Sequence, residues 1–388
     1  MLDSTFVANL RQAVHIHEMN EYLQIARNLK YSIFTKHLPS TTLKERYVTL
    51  LENAVIRDYG VNGGSVRFEE QVTGEQSFVN HVYKSGWAES EYKFKDLANG
   101  TIGGEGINLL SQWTKQVTAR AAYQPQYLAI SALRAGTATS LTLDGQVHDI
   151  VCYDSQPLFS QTHPYNFKRT SLGYFCNYFK GAPASAVANN IGFKPLAGPF
   201  AKNAGTGEWE YDASAKVSVE DAWNNLWDTI TAIAGVKMAD GLTPRYLKPT
   251  RIVAGTKLRK AITTLLSAQF IAAQASSGTG GATDIKGTIT ALGLAEPAFL
   301  DELVGLGTNE EWDWYLICEE NAAASELGVI NVGINEPWKV VLYAAESGSA
   351  GVNLELAIAD EVRAVGKMRA FVGVGLPQFA FKQEAPRS

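Results

Sequence analysis

The stretch YDSQPLFSQTHP, residues 153–164, places an acid, a Leu158-Phe159 pair and a His-Pro step close together. Two readings compete. In one, Asp154 and His163 begin a metal or catalytic loop. In the other, the loop is a rigid brace: Pro157 and Pro164 fix φ, Asp154 and Ser155 satisfy local backbone donors, and Leu158-Phe159 anchor it to a core. A metal site needs a third and a fourth ligand converging on the first two. The other histidines, His15, His17, His37, His81 and His148, form no i,i+4 pair, and the two-residue spacing of His15 and His17 points their rings apart on a helix. The brace is the simpler reading, and no metal or cofactor is expected.

Outward from that loop, no other stretch builds an active site. There is no G-x-S-x-G elbow, no Ser-x-x-Lys and no H-E-x-x-H. TIGGEG, residues 101–106, lacks the Gly-Lys-Ser/Thr of a phosphate cradle. The pairs Glu69-Glu70, Glu310-Glu311 and Glu319-Glu320 read as solvated faces. The 388 residues are 46% hydrophobic and 19% charged, which suits a folded chain with two or three domain-sized cores or one large one. A net charge of −5, from 34 Lys+Arg against 39 Asp+Glu, argues against a dedicated phosphate-gripping surface. Cys152, Cys176 and Cys318 share no metal-ligand spacing and suit a reducing compartment. The N-terminal residues lack the pattern of a secretory signal, and no apolar run reaches membrane-spanning length.

Several elements are legible. HEMNEYLQIARNLK carries Met19, Tyr22, Leu23, Ala26 and Leu29 at helical spacing, and STTLKERYVTLLENAVI is predicted to restart a helix after Pro39. Residues 59–104 hold short alternating pieces (VRFEEQV, FVNHVY, EYKFK) between glycines and are predicted to form a projecting hairpin. A long helix follows, with Ile107, Leu110, Trp113 or Thr114, Val117 and Ala121 on one face, running past Pro125 to Gly136. Asp144-Gly145 centres a hairpin. VSVEDAWNNLWDTITAIAG is predicted to be a helix capped by Ser218 and Asp221 and stopped at Gly235. RIVAG is a strand leading into a helix that buries Leu258, Ile262, Leu265 and Leu266, and SSGTGGATD, 276–284, is a surface loop by composition. Strands EWDWYLICE, WKVVLYA, NLELAIAD and MRAFVGVGL follow, and no internal repeat is present.

One charge pattern stands apart. Residues 241–260 hold Arg245, Lys248, Arg251, Lys257, Arg259 and Lys260 without an acid, whereas 296–326 hold nine acids without a base. Either the two surfaces pair within one domain, or they lie on opposite flanks and meet head to tail between neighbouring copies, as ring assembly requires.

The 153–164 segment closely resembles the D-G-x-x-F-F-x-x-x-H-P type segment of the Mu-type phage major head subunit, with Ser155 standing where that pattern usually has Gly. The order of elements resembles the tailed-phage capsid fold of the Hong Kong phage type (Johnson fold), and LKPTRIVAGTKLRKAITTLLSAQ is similar to the strand–helix unit of its axial domain. The resemblance implies an α+β chain with an N-terminal arm at 1–58 and an extended loop at 59–104. A peripheral domain would start at 105–216 with a spine helix over 105–135, an axial domain would occupy 217–348, and 349–388 would return to the periphery. It implies a major capsid protein that is not an enzyme and self-assembles into pentamers and hexamers of an icosahedral phage head. That head would enclose double-stranded DNA non-specifically, with scaffold, portal and decoration proteins as further partners and no membrane. The localisation would be the virion, assembled in the host cytoplasm. Contacts between copies are expected at Arg67, Glu69, Lys84, Trp87, Tyr92 and Lys93 of the extended loop. In the charge patches they are expected at Arg245, Arg251, Arg259, Glu310 and Glu311. No N-terminal cleavage is expected, and Lys84, Lys93 and Lys95 have no identified cross-linking acceptor. The alternatives are an encapsulin-like compartment shell and, in a different class, a cytosolic α/β enzyme acting through Asp154 and His163.

Overall fold

The computed structural model describes residues 7–12, 14–15, 29–51, 72–92, 94, 105–180, 190–267, 270–272, 282–284, 293–303, 309–320, 327–343 and 361–387. It is a mixed helix-and-sheet protein, the α+β class expected from the sequence. Its contacts group into two compact units. The first comprises Met1–Glu45, Phe78–Ser131 and Asn331–Val372, and the second Arg46–Ser77, Ala132–Ile330 and Gly373–Ser388. These units cut across the five sequence segments: residues 331–343 group with the first unit and 373–388 with the second.

The first unit combines most of helix α1 (Glu105–Arg134) with a four-stranded sheet. The sheet order is β1 (Thr35–His37), β17 (Ile330–Tyr343), β18 (Glu361–Val374) and β4 (His81–Ser90). On α1, Leu110, Thr114, Val117 and Ala121 are buried, the three-and-four spacing that turns one stripe of a helix inward. The helix continues through Pro125 as expected, giving up one backbone donor. Val7, Leu10 and Val14, also at helical spacing, join Phe94, Leu110, Val340, Leu342, Val362 and Ala364 in one buried cluster. Two glycines are required by close approach. A Cβ on Gly366 would lie 2.0 Å from the Trp338 ring, and one on Gly333 would lie 2.1 Å from the Phe371 ring.

Two sequence expectations are corrected here. Residues 81–90 do not pair within a hairpin of their own: β4 pairs antiparallel along β18 from Glu361 opposite Ser90 to Ala370 opposite His81. Tyr92 and Phe94 beyond it are helical, not strand, and Phe78, Glu91 and Phe94 are buried. Alternation had read as self-contained hairpin pairing, but the partner strand lies almost 300 residues later in the chain. Likewise, STTLKERYVTLLENAVI starts with a turn and a strand, β2 (Lys44–Leu50), paired with β3 (Thr73–Val79). The Glu45 carboxylate accepts from the Thr41 and Thr42 amides at 2.5 and 2.6 Å, so the residues read as a helix cap close a turn instead. The helix read at 17–30 falls largely outside the described residues, as do 52–71 and 95–104.

The second unit is built on a five-stranded mixed sheet. Its order is β15 (Ala298–Leu300), β12 (Leu247–Gly255), β16 (Trp314–Glu320), β19 (Ala380–Gln383) and β9 (Tyr178–Phe179). Pro249 cannot donate to the ladder, and the register of β12 against β16 shifts between Pro249 and Arg251. The skipped Thr250 donates its hydroxyl to the Ile317 carbonyl at 3.1 Å. Helix α2 (Val219–Ala234) starts where expected: Ser218 Oγ accepts from the Asp221 amide at 3.0 Å and donates to its carboxylate at 2.6 Å. Helix α3 (Arg259–Ser267) buries Ile262 and Leu265, with Leu258 just before it. The hairpin of β5 (Ser140–Leu143) and β6 (Gln146–Asp149) turns on Asp144 and Gly145, at φ 49° and 76°, the left-handed pair of a type I′ turn. Shorter ladders join β7 (His163–Pro164) to β8 (Tyr174–Phe175), β10 (Phe200–Lys202) to β11 (Trp209–Tyr211), and β13 (Phe270–Ala272) to β14 (Ala282–Asp284). Thus 282–284, read as loop, is a strand, while 276–281 lies outside the described residues.

Candidate functional site

The 153–164 loop closes on itself. His163 Nδ1 lies 2.7 Å from Asp154 Oδ2, and both side chains are 0% exposed. The other ring nitrogen, Nε2, lies 3.2 Å from the Leu158 carbonyl, which can only accept, so Nε2 carries a proton. Asp154 Oδ1 accepts from the Gln156 amide at 3.1 Å. Both nitrogens of His163 and both oxygens of Asp154 are therefore engaged inside the loop, and neither side chain is exposed to a substrate. Leu158 and Phe159 are buried, with Phe159 tilted on Tyr315 at 5.6 Å and His163 stacked on Phe175 at 5.1 Å. Burial of two such side chains contributes roughly 1.5–3 kcal/mol each.

Ser155 has φ 62°, in the left-handed region. Its position is the one at which the resembled pattern usually carries Gly, the residue that enters that region without a Cβ penalty. Asn177 is a partner of this loop that sequence reading missed. Its Oδ1 accepts from the Ser160 amide at 2.9 Å, and its Nδ2 donates to the carbonyls of Leu158 at 2.8 Å, Pro377 at 2.7 Å and Ala380 at 3.1 Å. A lone Asn in an aromatic run carries no sequence signal of such a hub. The brace thus holds the end of β9 to the C-terminal strand.

The basic and acidic segments are not on opposite flanks. They are adjacent strands of one sheet, with Lys248 opposite Glu319 across β12 and β16. Lys257 pairs with Glu311 and lies over the Trp312 ring, and Thr256 bonds Asp301. Pairing within one unit is what the fold does, because β12 lies beside β16, which ends in Glu319 and Glu320, and beside β15, which leads into Asp301 and Glu302.

The expected contact residues therefore separate. Lys84, Tyr92 and Arg259 are exposed, and Arg251 is half-buried. Trp87 packs on the core cluster, stacked on Trp113 at 6.3 Å. Arg245 is only 7% exposed, and Glu310 pairs with Arg134 at 3.2 Å. Arg67, Glu69 and Lys93 lie outside the described residues.

A second feature missed from sequence is a buried ionic cluster at the chain's C-terminal strand. Arg387 grips Asp313 with two hydrogen bonds, 3.0 and 2.9 Å. Lys382 Nζ lies 3.1 Å from Glu384 and 3.4 Å from Asp313. Burial opposes the Lys382 charge, but Tyr315, Asp313 and Glu384 outweigh it and hold the ammonium above its ordinary value. Burial also pushes the Glu384 carboxyl up, yet Lys382, the Tyr178 hydroxyl and Arg387 bring it below the usual value. These groups line a polar cavity of about 320 Å³ with Arg134, Lys180 and Glu310. Alternation along β19 cannot show which distant charges close over its end, so the sequence carries no signal of this cluster. The three thiols are all buried, and burial pushes each upward, Cys176 to about 12, so none is poised as a nucleophile.

No protein-family model matches the chain, and no curated protein sequence matches it. Among solved structures, the procapsid of bacteriophage JBD30 is similar at 14% identity and TM-score 0.43, covering 99% of this chain and 77% of that one. The capsid of Myoviridae phage XM1 is similar at 13% identity and TM-score 0.41, covering 90% and 88%. The capsid of cyanophage P-SCSP1u is similar at 11% identity and TM-score 0.43, covering 93% and 89%. Similarity at this level transfers no residue role to this chain.

Proposed function

We propose that this chain is a major capsid protein of the tailed-phage type, with the 153–164 segment pointing to the Mu-type head subunit. In this reading copies assemble as pentamers and hexamers into an icosahedral shell around double-stranded DNA, in the virion and after assembly in the host cytoplasm. The observation that carries it is the closed loop itself. The Asp and His of the resembled pattern are the two groups that meet, its two apolar positions are the two that fill the core, and its Gly position is the one with positive φ. A physical reason for five of the pattern's six fixed positions, all but the final Pro, is therefore present in this chain. The same geometry counts against the enzyme alternative, since Asp154 and His163 are sealed from any substrate.

Contacts between copies are assigned to Lys84, Tyr92 and Arg259, which are exposed, and to half-buried Arg251. Arg67, Glu69 and Lys93 remain assigned to the extended segment. Negative-stain microscopy of the purified full-length protein tests the proposal: rings, tubes or closed shells are the expected outcome. A monodisperse monomer at high concentration, with or without added scaffold, overturns it. Shells that enclose a bound enzyme instead of DNA favour the compartment alternative.

A further inference from the structure

The exposed side of α1 carries a consistent chemistry that the capsid reading does not yet use. Gln112, Gln116, Arg120, Tyr123 and Tyr127 follow one another at spacings of three and four and are all exposed, with Lys115 on the flank. Tyr123 and Tyr127 are 48% and 49% exposed, a large aromatic area to leave in water. From Gly106 to Leu143 the sequence contains no Asp or Glu, although the whole chain is acidic. No hydrogen bond or ion pair links Lys115, Arg120, Tyr123 or Tyr127 to another side chain among the described residues. Arg, Lys, Gln and Tyr are residue types that hydrogen-bond phosphate oxygens without reading bases. The stripe from Gln112 to Tyr127 is about 22 Å long at the helical rise per residue, and a duplex presents one negative charge per roughly 1.7 Å of its axis.

We infer that the exposed face of α1 is a docking surface for the phosphate backbone of double-stranded DNA. Charge complementarity selects this occupant. The stripe offers two cations, amide and phenol donors and no carboxylate, a set that a polyanion satisfies. The net acidity of the chain is a whole-molecule property and does not describe this face. The inference rests on the capsid reading for its setting, a shell that encloses DNA.

The test is fluorescence anisotropy of a labelled 30-base-pair duplex of mixed sequence with dispersed full-length chain, titrated at several salt concentrations. Binding is expected to weaken linearly in log[salt]. The double variant Lys115→Gln with Arg120→Gln is expected to lower the slope by about 2, roughly 1 for each phosphate contact removed. Lys202→Gln with Lys216→Gln, the same charge change elsewhere, is expected to leave the slope unchanged. Three results each overturn the inference: no binding at low salt, an equal loss in the control variant, or α1 variants that keep full DNA binding but no longer form shells, which marks the face as a contact between copies. Shell formation by the unmodified chain is scored separately by microscopy. A failure of the capsid reading is thus seen without a failure of DNA binding, and the reverse.

Discussion

At the scale of the residue, Ser155 shows how one φ angle carries information. A non-glycine residue in the left-handed region costs roughly 1–2 kcal/mol, and here the cost is met because Asp154 and His163 hold the turn on either side. Ser155→Gly is expected to raise stability by about 0.5–1 kcal/mol, read as a higher denaturant midpoint. His163→Ala is expected to cost about 3–5 kcal/mol, because it leaves the Asp154 carboxylate buried without its partner. A thermal melt of that variant indistinguishable from the parent would show that the pair is not closed. Gly366→Ala tests close packing in the other unit: its methyl would overlap the Trp338 ring, and a loss of soluble folded protein or a clear drop in melting temperature is expected.

At the scale of the element, caps and buried charges behave differently from what charge counting suggests. Ser218→Ala is expected to cost about 1 kcal/mol by removing the acceptor for the Asp221 amide. Arg245→Glu is expected to unfold its unit, since the side chain is buried, whereas Arg259→Glu, exposed at the start of α3 over the Phe299 ring, should cost no more than about 1 kcal/mol. Only the second substitution can therefore report on assembly. The Glu384 carboxyl has a folded pKa below its unfolded one, so its contribution is fully present above the ordinary glutamate value of 4.5 and is lost as pH falls through the lower folded value. Glu384→Gln is expected to lose stability at pH 7 and to lose less as the pH falls below the ordinary glutamate range in denaturant titrations; a loss that does not change with pH would remove the ionic explanation.

At the scale of the whole molecule, the chain satisfies more of itself than its sequence suggests. β4 has its partner in β18, and residues 7–14 help fill a core, so both are ordered within one copy. What stays unsatisfied is surface. Val48 and Leu50 on the outer face of β2 are 50% and 61% exposed. If copies assemble, this face is expected to be covered, and Val48→Ser with Leu50→Ser should leave the melt of the dispersed chain unchanged while reducing the yield of shells in micrographs. Unreduced yield would place the contact elsewhere.

Local regularities were legible from residue order. The run of α1 past Pro125, the Ser218 cap, the Asp144-Gly145 turn and the brace at 153–164 each depend on neighbours within a few positions, where spacing and side-chain chemistry act directly. The resemblance that suggests a shell subunit also sits in one such local segment. Partnerships between segments distant in the chain were decided only by the tertiary structure: β4 with β18, β12 with β16, Asn177 with Pro377 and Ala380, and Lys382 with Asp313. Period and composition state which face of a strand is apolar. The strand that comes to lie beside it is set by which packing of all the elements together buries those faces and pairs those charges.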